Sequence, residues 1–194
     1  MVAALIGAAT TLPVSACTDS TRTTPAIESP GPYSADIKAA AKSASNDFER
    51  EVLSDGVITA QEYQEAVNRL VRCASDKGVG IKVTTIRGVN RYEVPTSANG
   101  DAVFNACSAG TTRTIESLYS TMVTNPRKED EDELFASCIR RSGLAPASFT
   151  GDVARRIARS QGNTPYPFDT ADPRFDACMT NPAADPPTSE ASPS

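Results

Sequence analysis

The chain has 194 residues, a formal net charge of −5 and no His. The missing imidazole excludes a Ser-His-Asp triad, a Cys-His pair and any His-bearing metal site. With a pI of about 4.8, the chain lacks the basic balance of a nucleic-acid binder, so no nucleic-acid partner is expected.

Residues 1–16 read MVAALIGAATTLPVSA, and no charge appears before Asp19. This apolar run is shorter than the roughly 20 residues a membrane-spanning helix needs. A short apolar run ending in small residues is the pattern of a secretory signal peptide. The run closes on Leu12-Pro13-Val14-Ser15-Ala16-Cys17. An aliphatic residue, two small residues and Cys resemble the bacterial lipobox, in which a peptidase cuts before the Cys and the Cys carries lipid. The resemblance makes Cys17 the acylated first residue of the mature protein. It departs from the pattern in having no Lys or Arg at its start, which translation from upstream of Met1 would supply. Residues 17–33 are rich in Thr, Ser and Pro. Such a segment buries little apolar surface and is expected to act as a flexible tether.

Ser34 to Leu53 carries Ile37, Ala41, Ala44, Phe48 and Val52 at helical spacing, which predicts one amphipathic helix. Asp55-Gly56 ends it. Thr59-Ala60-Gln61-Glu62 is a capping box and starts a second helix, with Tyr63, Val67, Leu70, Val71 and Ala74 on its apolar face. Gly78 ends that helix. The β-branched run Ile81 to Ile86, a turn at Gly88, and Arg91 to Val94 predict a β-hairpin. Helical spacing returns from Asp101 to Thr124, weakened at Gly110. A further helix is expected over Glu129 to Arg141. It has acids at its start and Arg140-Arg141 at its end, both favourable to the helix dipole. Thr150 to Gln161 predicts a short helix with Val153 and Ile157 inward and Arg155, Arg156 and Arg159 outward. A Pro-rich loop and a last short helix around Phe175 follow. Residues 181–194 read as a disordered tail.

With Cys17 set aside, Cys73, Cys107, Cys138 and Cys178 remain. An even number of Cys in an exported chain suggests disulfides, and four Cys allow three connectivities. An internal echo selects one. Cys73 and Cys138 both open C-x4-G-aliphatic, ending in Gly78-Val79 and Gly143-Leu144. Cys107 and Cys178 both close F-x-A-C, after Phe104 and Phe175. The alternating order predicts two similar units closed by Cys73–Cys107 and Cys138–Cys178. In the first motif the Cys sits one turn before a helix end, Gly takes the left-handed position, and the aliphatic residue packs back. Bridges of this span contribute about 3.8 kcal/mol each in the chain-entropy model. The four Cys lack the C-x2-C pairs of a structural zinc site.

Asp55 to Tyr63 resembles the second half of an EF-hand loop, with Gly56 at position six and Glu62 at position twelve. The calcium candidates are therefore Glu51, Asp55, Thr59 and Glu62. Leu53 would occupy a ligand position and cannot ligate. A turn followed by a capped helix explains the same residues, so no metal and no cofactor are expected. Carboxylate-pair catalysis is open to a chain with 24 acids, but nothing marks one pair as special. The absence of Trp disfavours a sugar-stacking platform. The cluster Arg140, Arg141, Arg155, Arg156 and Arg159 is expected at the surface or paired with the acidic run. Its minority reading is a contact with anionic lipid headgroups.

Asp55-Gly56-x-x-Thr59-x-x-Glu62-Tyr63 with Cys73 ten positions on, C-x4-G, and Asp172-Pro173-x-Phe175-x-Ala177-Cys178 together resemble a recurrent set of actinobacterial envelope lipoproteins. The resemblance spans Phe48 to Cys178. It implies an envelope location and disulfides rather than a chemistry.

These observations predict a mainly α, disulfide-bridged helical domain over 34–180 with one β-hairpin and two similar units. The expected function is a non-enzymatic binding or accessory role at the cell membrane, lipid-anchored on the extracytoplasmic face through Cys17. An unknown envelope protein or small ligand is its expected partner. The alternatives are a carboxylate-dependent hydrolase of envelope polymers, an inhibitor or partner-recognition module, and a weak calcium binder.

Overall fold

The computed structural model describes residues 31–96 and 99–185. Within them the chain runs α1 (Ser34–Ala41), α2 (Asp47–Leu53), α3 (Ala60–Asp76), β1 (Lys82–Ile86) and β2 (Val89–Glu93). It continues through α4 (Gly100–Ser108), α5 (Arg113–Thr124), α6 (Glu131–Arg141), α7 (Gly151–Arg159) and α8 (Pro173–Thr180). The fold is mainly helical with one antiparallel hairpin and two disulfides, Cys73–Cys107 and Cys138–Cys178.

Helix α3 starts and stops as its sequence dictates. The Thr59 hydroxyl accepts the Glu62 N–H at 3.2 Å, and the Glu62 carboxylate accepts the Thr59 N–H at 2.8 Å. These bonds satisfy two donors that a helix start leaves free. At the other end Gly78 takes φ 76°, a left-handed conformation that costs glycine little. Its N–H reaches the Ser75 carbonyl, and Val79 N–H reaches that of Ala74, both at 2.9 Å. Helix α6 repeats this closure. Gly143 (φ 73°) bonds Arg140 at 3.0 Å and Leu144 bonds Ile139 at 3.1 Å. The paired bonds are those of a Schellman motif. Each C-x4-G thus aims its Cys at the second Cys of its own unit, with Cα atoms 5.7 Å apart in both bridges.

The two units share their ends and differ in what lies between. In the first, Cys73 on α3 meets Cys107 on α4 with the hairpin inserted. In the second, Cys138 on α6 meets Cys178 on α8, with α7 and an aromatic loop inserted. The hairpin turns through Arg87-Gly88, both at positive φ, a two-residue turn whose twist matches the strands. Its register pairs Val83 with Tyr92, and both pack against the largest core. That core joins Ile37 of α1, Leu53 of α2, Tyr63 of α3 and Ile115 of α5. A smaller cluster surrounds the first bridge through Leu70, Ala74 and Val79. The second bridge is buried with Ile139, Phe149 and Ile157.

The structure corrects several expected boundaries. Ser34 to Leu53 is two helices. Asn46 caps α2 by accepting the Glu49 N–H at 2.8 Å, and Glu49 accepts the Ser45 N–H at 2.6 Å. These local side-chain bonds compete with helix continuation. Ala44 therefore lies between the two helices, and Glu49 is buried at 2% exposure alongside Val52 and the partly buried Phe48. Asp101 to Thr124 is likewise split, with the break around Gly110. Helix α6 begins at Glu131, because the Asp130 side chain caps it by accepting the Glu133 N–H at 3.0 Å. Tyr33 belongs to the core rather than the tether, and its hydroxyl donates to the Asn125 carbonyl at 2.8 Å. Residues 181–185 are held against the domain instead of starting a tail: Arg87 donates to the Asp185 carbonyl at 2.7 Å and Arg141 to that of Pro182 at 2.8 Å. Residues 186–194, the signal segment and Cys17 lie outside the described residues.

Candidate functional site

Two of the four calcium candidates, Asp55 and Glu62, are committed to the backbone around them. Asp55 Oδ1 accepts the Val57 N–H at 2.9 Å, closing an Asx turn. Glu62 Oε2 holds both the N–H and the hydroxyl of Thr59, at 2.8 and 2.7 Å. Glu51 is exposed at the end of α2. Glu51, Thr59 and Glu62 share the lining of a groove of about 470 Å³ between α2 and α3, whereas Asp55 does not line it. Among the described residues no group of three or more acids, Cys or His is placed to hold a metal ion.

The Arg cluster divides. Arg155 donates to Asp132 at 2.6 Å, to Asp130 at 2.7 Å and to Asp152 at 2.8 Å. Arg140 donates to Glu133 at 2.7 Å and to the Phe149 carbonyl at 2.6 Å. Asp130, Asp132 and Glu133 of the acidic run thus pair with Arg140 and Arg155, and the Arg155 pairs tie α7 to the start of α6. Arg156 and Arg159 remain exposed. The hydrogen bond from Arg140 first, then that from the Gly151 N–H, hold the Glu133 carboxyl below its ordinary range.

A half-buried carboxyl that the sequence reading did not single out lies at the centre of a third constellation. Helix α5 turns Ile115, Tyr119 and Met122 into the core, and Glu116 sits half-buried on the flank of that stripe. Tyr63, from the first turn of α3, donates its hydroxyl to Glu116 Oε1 at 2.9 Å. Tyr92, from β2, donates to Oε2 at 2.7 Å. Tyr63 also stacks on Tyr119, with ring centroids 4.2 Å apart. One carboxyl therefore joins three elements through two phenols. Among the described residues no Lys or Arg pairs with it. Burial pushes the Glu116 carboxyl up, and the two hydrogen bonds pull against that without cancelling it. Burial first, and the adjacent carboxylate as well, push both phenols above their ordinary value. Two hints were present: Glu116 lies three positions before Tyr119 on the apolar stripe, and Tyr92 lies on the inward alternation of its strand.

Such a constellation is a candidate acid-base site by its titration. Its geometry argues for a fastening. Both carboxylate oxygens already hold a donor, and nothing described places a second carboxyl beside them to complete a glycosidase-like pair.

A second candidate lies in the other unit. Four of the chain's six Phe and one Tyr converge there: Phe135, Phe149, Tyr166, Phe168 and Phe175. Tyr166 and Phe168 stack at 5.2 Å and line a groove of about 430 Å³ with Ile157, Ala158, Thr164 and Thr170. Elsewhere the apolar surface is sparse. Ile86 and Met179 are the large hydrophobic residues left exposed among the described residues.

Comparison of the chain with family models, curated proteins and solved structures finds no match. Among the described residues no helix is long and apolar enough to cross a membrane.

Proposed function

We propose that the chain is a lipid-anchored domain on the extracytoplasmic face of a cell membrane, acting as a non-enzymatic binding or accessory protein of the envelope. The observation that carries this reading is the pair of disulfides, because such bonds persist in oxidising compartments and are rare in the cytosol. The lipobox ending in Cys17 supports the anchor, and the motif resemblance to actinobacterial envelope lipoproteins agrees with the location. The surface suited to a ligand is the Tyr166–Phe168 groove, which offers stacked rings with Thr164 and Thr170 at its rim. Metabolic labelling with a fatty acid tests the anchor. Wild type incorporates label and partitions with membranes, and Cys17→Ser does neither. Label retained by Cys17→Ser contradicts the reading.

The raised Glu116 carboxyl favours one competing reading, a hydrolase that uses it as a general acid. On that reading Glu116→Gln abolishes turnover of an envelope polymer. On the binding reading purified wild type shows no such turnover.

A further inference from the structure

Glu116, Tyr63 and Tyr92 come from three different elements, and among the described residues the carboxyl between the phenols is the one charged group to which either hydroxyl donates. We propose that this trio is a proton-operated latch that fastens the β-hairpin to the helical core and tightens on acidification. A two-stranded hairpin is marginally stable alone and needs a partner surface. This one packs on α5 through β2. Its inward residues are Val83 and Tyr92, and the Tyr92 hydroxyl reaches Glu116 at 2.7 Å. Closing the hairpin therefore removes the Glu116 carboxylate from water with two neutral donors and no cation to compensate it.

The groups facing Glu116 from each packed element are few. Helix α3 presents Tyr63, whose hydroxyl is the second donor. Strand β2 presents Tyr92, with Asn90 beside its hydroxyl. Helix α5 itself presents Tyr119, stacked on Tyr63. Helix α2 presents Glu49, whose charge is met by Ser45, Thr114 and Arg113. None of these supplies a positive charge to Glu116. A proton on Glu116 removes the buried charge. The acid can then donate to one phenol oxygen while still accepting from the other. In the opened hairpin the carboxyl is hydrated and titrates in its ordinary range. The closed state therefore binds the proton more tightly, and closure strengthens as pH falls from the closed-state pKa toward the ordinary glutamate value. Above the closed-state pKa the hairpin opens more readily.

Amide hydrogen exchange of the full chain in detergent, across a pH series and corrected for intrinsic rates, tests the latch. The strand amides of 82–86 and 89–93 gain protection on acidification in wild type. The gain reaches about tenfold for each unit by which the two states' pKa values differ. Glu116→Gln keeps an acceptor and a donor between the phenols and makes strand protection independent of that titration. Tyr92→Phe uncouples the hairpin, so the strands lose their pH dependence while Glu116 still titrates against Tyr63. A wild-type rise that persists unchanged in Glu116→Gln overturns the proposal, as does wild-type protection that stays flat or falls. Should Glu116→Gln fail to fold, carboxyl-carbon NMR of wild type decides. A Glu116 midpoint above the ordinary range is expected, and one within or below it overturns the latch.

Discussion

Asn181 donates its side-chain amide to the Arg87 carbonyl at 2.8 Å, across 94 residues. This bond joins the end of α8, in the second bridged unit, to the turn of the hairpin in the first. The same side chain accepts the N–H groups of Ala183 and Ala184 at 3.1 and 3.2 Å. Asn181 is buried, so all three partners depend on it. Asn181→Ala leaves a carbonyl and two N–H groups without their partner, at a cost of about 1–3 kcal/mol. Denaturant unfolding measures the loss. Asn181→Asp keeps the acceptor, loses only the donor, and falls between the two.

The bridges sit in separate core clusters, so their contributions are expected to add. Replacing Cys73 and Cys107 together with Ala, or Cys138 and Cys178 together, removes about 4 kcal/mol in the chain-entropy model. Unfolding of the two paired variants and of the fourfold variant checks both size and additivity. A fourfold loss well below the sum shows that the units unfold separately.

Helix α7 starts against α6 with almost no clearance. The Gly151 N–H donates to Glu133 Oε2 at 2.7 Å, and a Cβ built on Gly151 would lie 2.8 Å from both Glu133 Cα and N. Both colliding atoms are backbone, so they cannot swing aside. Gly151→Ala is expected to cost about 1–3 kcal/mol as an overpacking substitution. Glu133→Gln, which keeps an oxygen for the Gly151 N–H, costs less. Equal losses in the two variants would show that the clearance is not what matters.

Glu49 contributes to the acid side of the stability profile. Burial works to raise its carboxyl, but hydrogen bonds from Thr114 and from the N–H and hydroxyl of Ser45, with Arg113 nearby, outweigh burial and hold it below its ordinary value of 4.5. A folded-state pKa below the unfolded one contributes stability above the unfolded value, and that stability is lost as pH falls through the folded value. Urea midpoints of wild type should therefore decline as pH falls from about 5 to about 3. Glu49→Gln is less stable near neutrality and declines less steeply over that interval. A parallel decline in both proteins contradicts the assignment.

The legible parts of the chain were those governed by neighbours in sequence. The Thr59 box, the Gly78 and Gly143 closures and the Arg87-Gly88 hairpin are local chemistry, and the repeated motifs carried the bridge pairing. The breaks were hidden because partners far along the chain help to fix them. Asn46 donates its amide to the Gly110 carbonyl 64 residues away, while the apolar spacing runs straight through Ala44. Glu116 went unremarked in the sequence, since Tyr63 and Tyr92 reach it from other elements. The aromatic groove was hidden for the same reason. Phe135, Phe149, Tyr166, Phe168 and Phe175 are scattered in sequence and meet only after α6, α7 and α8 pack.

On the proposed function, the mature protein is a stapled domain carried on a lipidated Cys17. Intact mass spectrometry of the membrane-extracted protein, before and after reduction, tests it in one measurement. The expected result is a chain beginning at Cys17 with the added mass of acyl chains, and a gain of four hydrogens when the two bridges are reduced. A chain that retains residues 1–16, carries no lipid mass and does not change on reduction would contradict it.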